Sequence, residues 1–221
     1  MKKRLGIYIH IPFCASKCSY CDFYSLQGCD YIMPDYQEAL LDHIDESSHS
    51  IKNYEVDSIY FGGGTPSYYG ADRIVEIFDT LKLNGNVRLD SEVTVECNPD
   101  SISLTALKLL RAEGVNRLSI GIQASDPNLL KLIGRRHNFL QAQKAFADAR
   151  KAASAYPSST SSTGTAASYA WVPADSRRRL SVQETSTNAP TCLSGAFWSQ
   201  RFSACWLFAS KTLWADWHCG P

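Results

Sequence analysis

The sequence predicts an α/β fold built on a parallel sheet, and two features of the chain carry that expectation. Runs with strand character and runs with helical spacing alternate four times over residues 5–151, and parallel neighbours need crossover helices between them. The motifs suited to chemistry follow the strand-like runs directly: Cys14 after the first, Gly62 after the second, Glu96 at the end of the third and Gln123 after the fourth. Sites in such sheets lie at the C-terminal ends of the strands, so the two observations support each other.

Residues 5–11 alternate apolar residues with Gly, Tyr and His and are rich in Ile, as a buried strand is. Pro34 opens a helix of about 16 residues, with Tyr36, Leu40, Leu41 and Ile44 at helical spacing. A second strand over 56–61 ends in three glycines, and 71–83 is helical with Ile74, Ile77, Phe78 and Leu81 on one face. The third strand covers 92–96, and a helix over 103–113 takes Ser103 as its cap. A fourth strand over 117–122 and helical patterns at 126–133 and 139–151 complete the fourth unit.

Between the first strand and the first helix lies Cys14-Ala15-Ser16-Lys17-Cys18-Ser19-Tyr20-Cys21. Each iron of a [4Fe-4S] cube needs a thiolate or a substitute. Three cysteines in one loop would hold three corners and leave the fourth iron open to a substrate. Zinc is the rival, but structural zinc sites usually pair two Cys-x2-Cys units or add a His pair. Cys29 and His43 sit at no such spacing. The expected metal ligands are Cys14, Cys18 and Cys21. Cys29 and Cys97 read as small core residues, and His10 reads as a satisfied strand histidine.

Composition narrows the class. Lys+Arg and Asp+Glu both number 22 in 221 residues, so no basic field suggests nucleic acid as a partner. The chain has eight cysteines, but Met1-Lys2-Lys3-Arg4 leads into a strand-like run rather than a signal peptide. No stretch reads as a membrane span. A cytoplasmic location follows as an expectation, with clustered cysteines binding metal rather than forming disulfides.

Several separated motifs then carry a family resemblance over about residues 5–152. Tyr8-Ile9-His10-Ile11-Pro12-Phe13 leads into the cysteine loop, and Gly62-Gly63-Gly64-Thr65-Pro66 and Glu96-Cys97-Asn98-Pro99 follow in order. Together they resemble the radical S-adenosylmethionine (SAM) superfamily, within it the oxygen-independent coproporphyrinogen III oxidase group, and there most nearly the HemW-type haem chaperones. The resemblance implies a partial parallel (β/α) barrel of six units. Four are recognisable here, which would leave the fourth strand without its next neighbour.

By that resemblance Gly63, Gly64 and Thr65 receive the amino group of SAM. Glu96 and Gln123 contact SAM, Arg135 meets its carboxylate, and Tyr8 and Tyr20 flank the cofactor. The implied chemistry is reductive: SAM chelates the open iron, an electron from the cluster cleaves a C–S bond, and a 5′-deoxyadenosyl radical abstracts hydrogen. In some relatives SAM serves to stabilise the cluster instead, so the resemblance does not decide whether the protein is an enzyme, and no catalytic residue is assigned.

Residue 23 discriminates within the group. The oxidases extend the motif to a fourth cysteine, whereas Cys21-Asp22-Phe23 puts Phe there, the pattern of the haem chaperones. The expected function is therefore to bind haem and pass it to acceptor proteins, with the coproporphyrinogen oxidase as the alternative. The family's His-Asn-x-x-Tyr-Trp haem stretch has no counterpart, since His137-Asn138-Phe139-Leu140 starts alike and then departs.

Composition changes near residue 152. Residues 1–150 hold 13 Ile and no Trp, whereas residues 151–221 hold no Ile, all five Trp and 20 Ser or Thr. The division expected is a radical SAM core over 1–152 and an irregular or disordered tail over 153–221. A Ser/Thr-rich linker with a small module is one reading of that tail. The favoured reading is loss of the reading frame near residue 152, which would make the chain a non-functional fragment.

Overall fold

The computed structural model describes residues 2–155 and 167–169. Strand β1 (Lys3–Ile11) is followed by a short ladder of β2 (Phe13–Cys14) and β3 (Leu26–Gln27), helix α1 (Met33–Ile51) and β4 (Tyr54–Gly63). Then come α2 (Pro66–Tyr69), α3 (Ala71–Asn84), β5 (Val87–Cys97), α4 (Leu104–Ala112), β6 (Arg117–Ile120), α5 (Pro127–Leu132), α6 (Phe139–Ala155) and β7 (Ala167–Tyr169). The main sheet is ordered β1-β4-β5-β6-β7, every neighbouring pair parallel. The predicted α/β class and a helix between successive strands of the main sheet are therefore present.

Period-two alternation sorts the side chains of each strand between two faces. Leu5, Ile7, Ile9 and Ile11 of β1, Ile59 and Phe61 of β4, and Val93, Val95 and Cys97 of β5 are buried in one core with Ile44, Ile77, Leu81, Leu107 and Leu110 from the helices. The helices form a layer in chain order, α1 against α3, α3 against α4, and α4 against α6. The alternate positions carry Tyr8, His10, Tyr60, Glu96 and Ser119. The sequence thus makes one face apolar for the helices and the other polar and aromatic.

Several boundaries differ from the sequence-based expectation for local reasons. β5 begins at Val87, and a register shift between Val56 and Ser58 absorbs the extra residues of this polar, partly exposed start. β6 ends at Ile120, two residues early: the backbone leaves the sheet at Gln123, whose φ of 60° is left-handed, and Ala124 N–H bonds back to Ile122 O at 2.8 Å. The cap on α4 is as expected, Ser103 Oγ accepting from Ala106 N–H at 3.2 Å.

Two features lie beyond residue 152. Helix α6 continues to Ala155, and β7 pairs with β6, Leu118 with Ala167, Ser119 with Ser168 and Ile120 with Tyr169. The fourth strand therefore has a neighbour where none was expected. Ladder pairing needs only backbone N–H and C=O groups, so three residues can join a sheet without a periodic pattern to announce them. The rest of the expected irregular tail, residues 156–166 and 170–221, lies outside the described residues.

Phe13 anchors the turn out of β1. It is fully buried, with its ring stacked on Tyr69 at 5.3 Å and edge-on to Tyr36 at 5.3 Å. Phe13→Ala should lower unfolding stability by about 3–5 kcal/mol, read from denaturant unfolding of the metal-free protein; a loss under about 1 kcal/mol would contradict this packing.

Candidate functional site

The cysteine loop and the glycine turn are joined by backbone. Gly64 N–H donates to Ile11 O at 2.7 Å and Thr65 N–H to Phe13 O at 2.8 Å, carrying the ladder of β1 and β4 onward into both loops. A Cβ on Gly64 would lie 2.7–2.8 Å from Phe13 O, Pro12 C and Ile11 O, so only glycine fits there. Gly63 has φ 109°, and a Cβ on it would meet the His10 ring at 2.5 Å. The triplet thus brings the turn against the cysteine loop as well as leaving space beside it.

Cys14, Cys18 and Cys21 are free and half-buried. Cys21 N–H bonds Cys18 O at 3.2 Å, and Ser19 N–H bonds Ile133 O at 3.2 Å, which ties the loop to the end of α5. Lys17 Nζ donates to Phe23 O at 2.6 Å and to Ser25 Oγ at 3.0 Å, closing the loop on itself. Cys14 Sγ lies 3.3 Å from Thr65 Oγ1, and Arg135 Nη1 reaches Cys18 Sγ at 3.6 Å.

Arg135 is brought there by a helix end. Gly134, with φ 74°, donates to Lys131 O, and Arg135 N–H donates to Leu130 O at 2.8 Å. This paired closure is the Schellman motif, with glycine in the left-handed position. The side chain then crosses to Gly121 O at 2.5 Å and Asn98 Oδ1 at 2.9 Å.

Beside the thiols is a cavity of about 170 Å³ lined by Gly64, Thr65, Glu96, Asn98, Gln123 and Arg135, among others. Of the residues singled out in the sequence, Gly64, Thr65, Glu96, Gln123 and Arg135 meet here. Gly63 lies behind the turn against His10, Tyr8 lies deeper on β1, and Tyr20 is exposed on the cysteine loop. Asn98 went unassigned in the sequence. Its place in Glu96-Cys97-Asn98-Pro99 was visible, but an Asn before Pro is also an ordinary turn residue.

The cavity is polar and incompletely satisfied. Among the described residues Gln123 Oε1 and Arg135 Nε are buried without a hydrogen-bond partner, and such groups in a native structure call for a ligand, ion or water. Gln123 is also the non-glycine residue held at positive φ among those described, a conformation costing of order 1 kcal/mol or more and concentrated at binding sites.

Glu96 Oε1 accepts from Tyr60 OH at 2.6 Å, and the Tyr60 ring stacks on Tyr8 at 6.0 Å. Burial pushes the Glu96 carboxyl above its ordinary range, opposed by the hydrogen bonds from Tyr60 and the Gly63 backbone. Burial, with the Glu96 charge, pushes the Tyr8 phenol up to about 12. His10 is satisfied as expected, Nδ1 near Tyr8 OH at 3.3 Å and Nε2 near Tyr24 O at 3.1 Å. Cys29 and Cys97 are buried, and burial raises the Cys97 thiol. His137 Nε2 lies 3.0 Å from Ile122 O, so this histidine braces the turn after β6.

A carboxyl whose folded pKa is raised contributes stability below its unfolded value and loses it as pH climbs through the raised value. Glu96→Gln removes that titration. From about pH 4 to about pH 8 the Tm difference between variant and wild type should move in favour of the variant. A difference independent of pH would mean that Glu96 is not held against ionisation.

Residues 8–164 match the radical SAM superfamily. The chain is 36% identical over 148 residues to the heme chaperone HemW of Buchnera aphidicola subsp. Schizaphis graminum, covering 66% of this chain and 39% of that protein. It is 36% identical over 143 residues to the heme chaperone HemW of Escherichia coli, covering 64% and 38%. A third relative, the mitochondrial radical S-adenosyl methionine domain-containing protein 1 of Bos taurus, is 36% identical over 154 residues, covering 67% and 34%. The chain therefore spans under two fifths of the length of these curated relatives. Among solved structures, the coproporphyrinogen III oxidase HemN of Escherichia coli, a radical SAM enzyme, superposes with a TM-score of 0.64 at 30% identity, over 68% of this chain and 35% of that one. With the motifs, the parallel sheet and the site at its strand ends all in agreement, this chain belongs to the radical SAM superfamily.

Proposed function

We propose that the chain holds a [4Fe-4S] cluster on Cys14, Cys18 and Cys21 and binds SAM in the adjoining cavity, within a haem chaperone that delivers haem to acceptor proteins. The observation that carries this is the junction of three free thiols with a polar cavity whose Gln123 Oε1 and Arg135 Nε are buried and unpartnered among the described residues. The Cys-x3-Cys-x2-Cys spacing, with no second pair at zinc-like spacing, supports a cube with one thiolate per iron over a tetrahedral zinc.

The chain's own groups have separate tasks in this reading. The turn Gly63-Gly64-Thr65 receives the amino end of SAM, with Gly64 leaving that side of the cavity free of a side chain, and Glu96 accepts hydrogen bonds from its ribose hydroxyls. Arg135 pairs with its carboxylate, and Gln123 supplies an amide whose oxygen stands ready. Tyr8 and Tyr20 border the cofactor, and burial pushes the Tyr8 phenol up to about 12. When bound, the cluster would supply an electron to SAM; the protein orients the two and excludes water and oxygen from the junction.

Haem delivery rests on the 36% identity to HemW proteins and on Phe23 at the fourth motif position. The likeness to HemN at 30% identity supports the alternative, a coproporphyrinogen III oxidase. Among the described residues no helix is long and apolar enough to cross a membrane, and a cytoplasmic place of action belongs to the proposal. So does the division into a core over 1–152 and a departing segment over 153–221, which the change of composition supports.

Anaerobic reconstitution should give about four irons per chain with broad visible absorption, and Cys18→Ala should abolish both; unchanged iron in that variant would overturn the cluster assignment. For the haem reading, the full-length form should bind haem at micromolar concentration or tighter and leave coproporphyrinogen III unconverted under anaerobic conditions. Robust protoporphyrinogen formation would favour the oxidase.

A further inference from the structure

Thr65 Oγ1 stands between two groups, 3.3 Å from Cys14 Sγ and 3.2 Å from Asn98 Nδ2. On its other side Asn98 Oδ1 faces Arg135 Nη2 at 2.9 Å. A guanidinium has donors only, so the amide atom facing Arg135 has to be the oxygen, and the atom facing Thr65 has to be the donating NH2. A hydroxyl has one proton. With an oxygen lone pair of Thr65 occupied by Asn98, that proton is free to point at Cys14 Sγ.

The arrangement is held from every side. Thr65 is buried and its N–H is bonded to Phe13 O. Asn98 N–H is bonded to Ser67 Oγ at 3.0 Å, and Ser67 Oγ lies 2.6 Å from Ser101 Oγ. Arg135 is fixed by the helix closure and by Gly121 O. Nothing in this relay has to move for the hydroxyl to donate.

We propose that Asn98 is a positioning residue for the metal centre: held by Arg135, it turns the Thr65 hydroxyl to donate to the Cys14 thiolate. The inference rests on the cluster reading above. Hydrogen bonds to cluster thiolates stabilise the more negative, reduced state and so raise its reduction potential. Arg135 and Tyr20 meet Cys18 directly, whereas Asn98 acts on Cys14 through Thr65.

The test is the midpoint potential of the reconstituted cluster, measured by EPR-monitored titration without SAM so that SAM contacts play no part. Thr65→Val, which keeps the shape and removes the hydroxyl, should shift the midpoint to more negative values, while Thr65→Ser should hold it near wild type. Asn98→Leu, similar in volume and uncharged, should also shift it negatively, and the double variant Asn98→Leu/Thr65→Val should match Thr65→Val rather than sum the two shifts. Additive shifts, or an unshifted Asn98→Leu, overturn the relay. If Asn98→Leu does not load iron, Asn98→Ser, too short to reach Thr65, takes its place, and the same non-additivity with Thr65→Val decides. A wild-type protein that takes up no cluster overturns the underlying reading instead, and iron content reports that separately.

Discussion

The site depends on two backbone hydrogen bonds, Gly64 N–H to Ile11 O and Thr65 N–H to Phe13 O. They continue the pairing of β1 and β4 past the last ladder residues, so that two loops leaving neighbouring parallel strands stay side by side. A side chain at position 64 would force backbone atoms apart, which makes glycine a requirement of contact rather than of flexibility. Once the loops touch, Thr65 reaches Cys14, Asn98 reaches Thr65, and Arg135 spans Asn98 and Cys18. Three strand ends and one helix end thus share a single polar network.

The same alternation that builds the core builds the interior chemistry. Each strand gives its apolar residues to the helix layer and its remaining positions to the other face, where Tyr8, Tyr60 and Glu96 lie together. Burial raises both the Glu96 carboxyl and the tyrosine phenols. A hydrogen bond from Tyr60 offsets part of the carboxylate's desolvation. The face is therefore polar in composition and internally hydrogen-bonded, which suits groups that orient a ligand.

Much of this was legible in the sequence because it is local. Alternation over 5–11 and the glycines after β4 read directly as a strand and a close turn. The order of motifs along the chain then put Cys14, Gly62, Glu96 and Gln123 at one end of the sheet, where the structure has them. What escaped is non-local. Asn98 gains its role from Arg135, 37 residues away, and no periodicity reports that meeting. Gln123 in the left-handed region breaks β6 early against a sequence that looks like continuous strand. The pairing of β7 comes from backbone groups in a stretch whose sequence has no strand periodicity.

In the proposed function the three thiols and the adjoining cavity act as one site, with the cofactor of the cavity touching the metal centre on the loop. Adding SAM to the anaerobically reduced, cluster-loaded protein tests it most directly. The EPR spectrum of the reduced cluster should change on addition of SAM, and the change should saturate. A spectrum that stays the same at saturating SAM would mean that the cavity and the cysteine loop are separate, and would contradict the account.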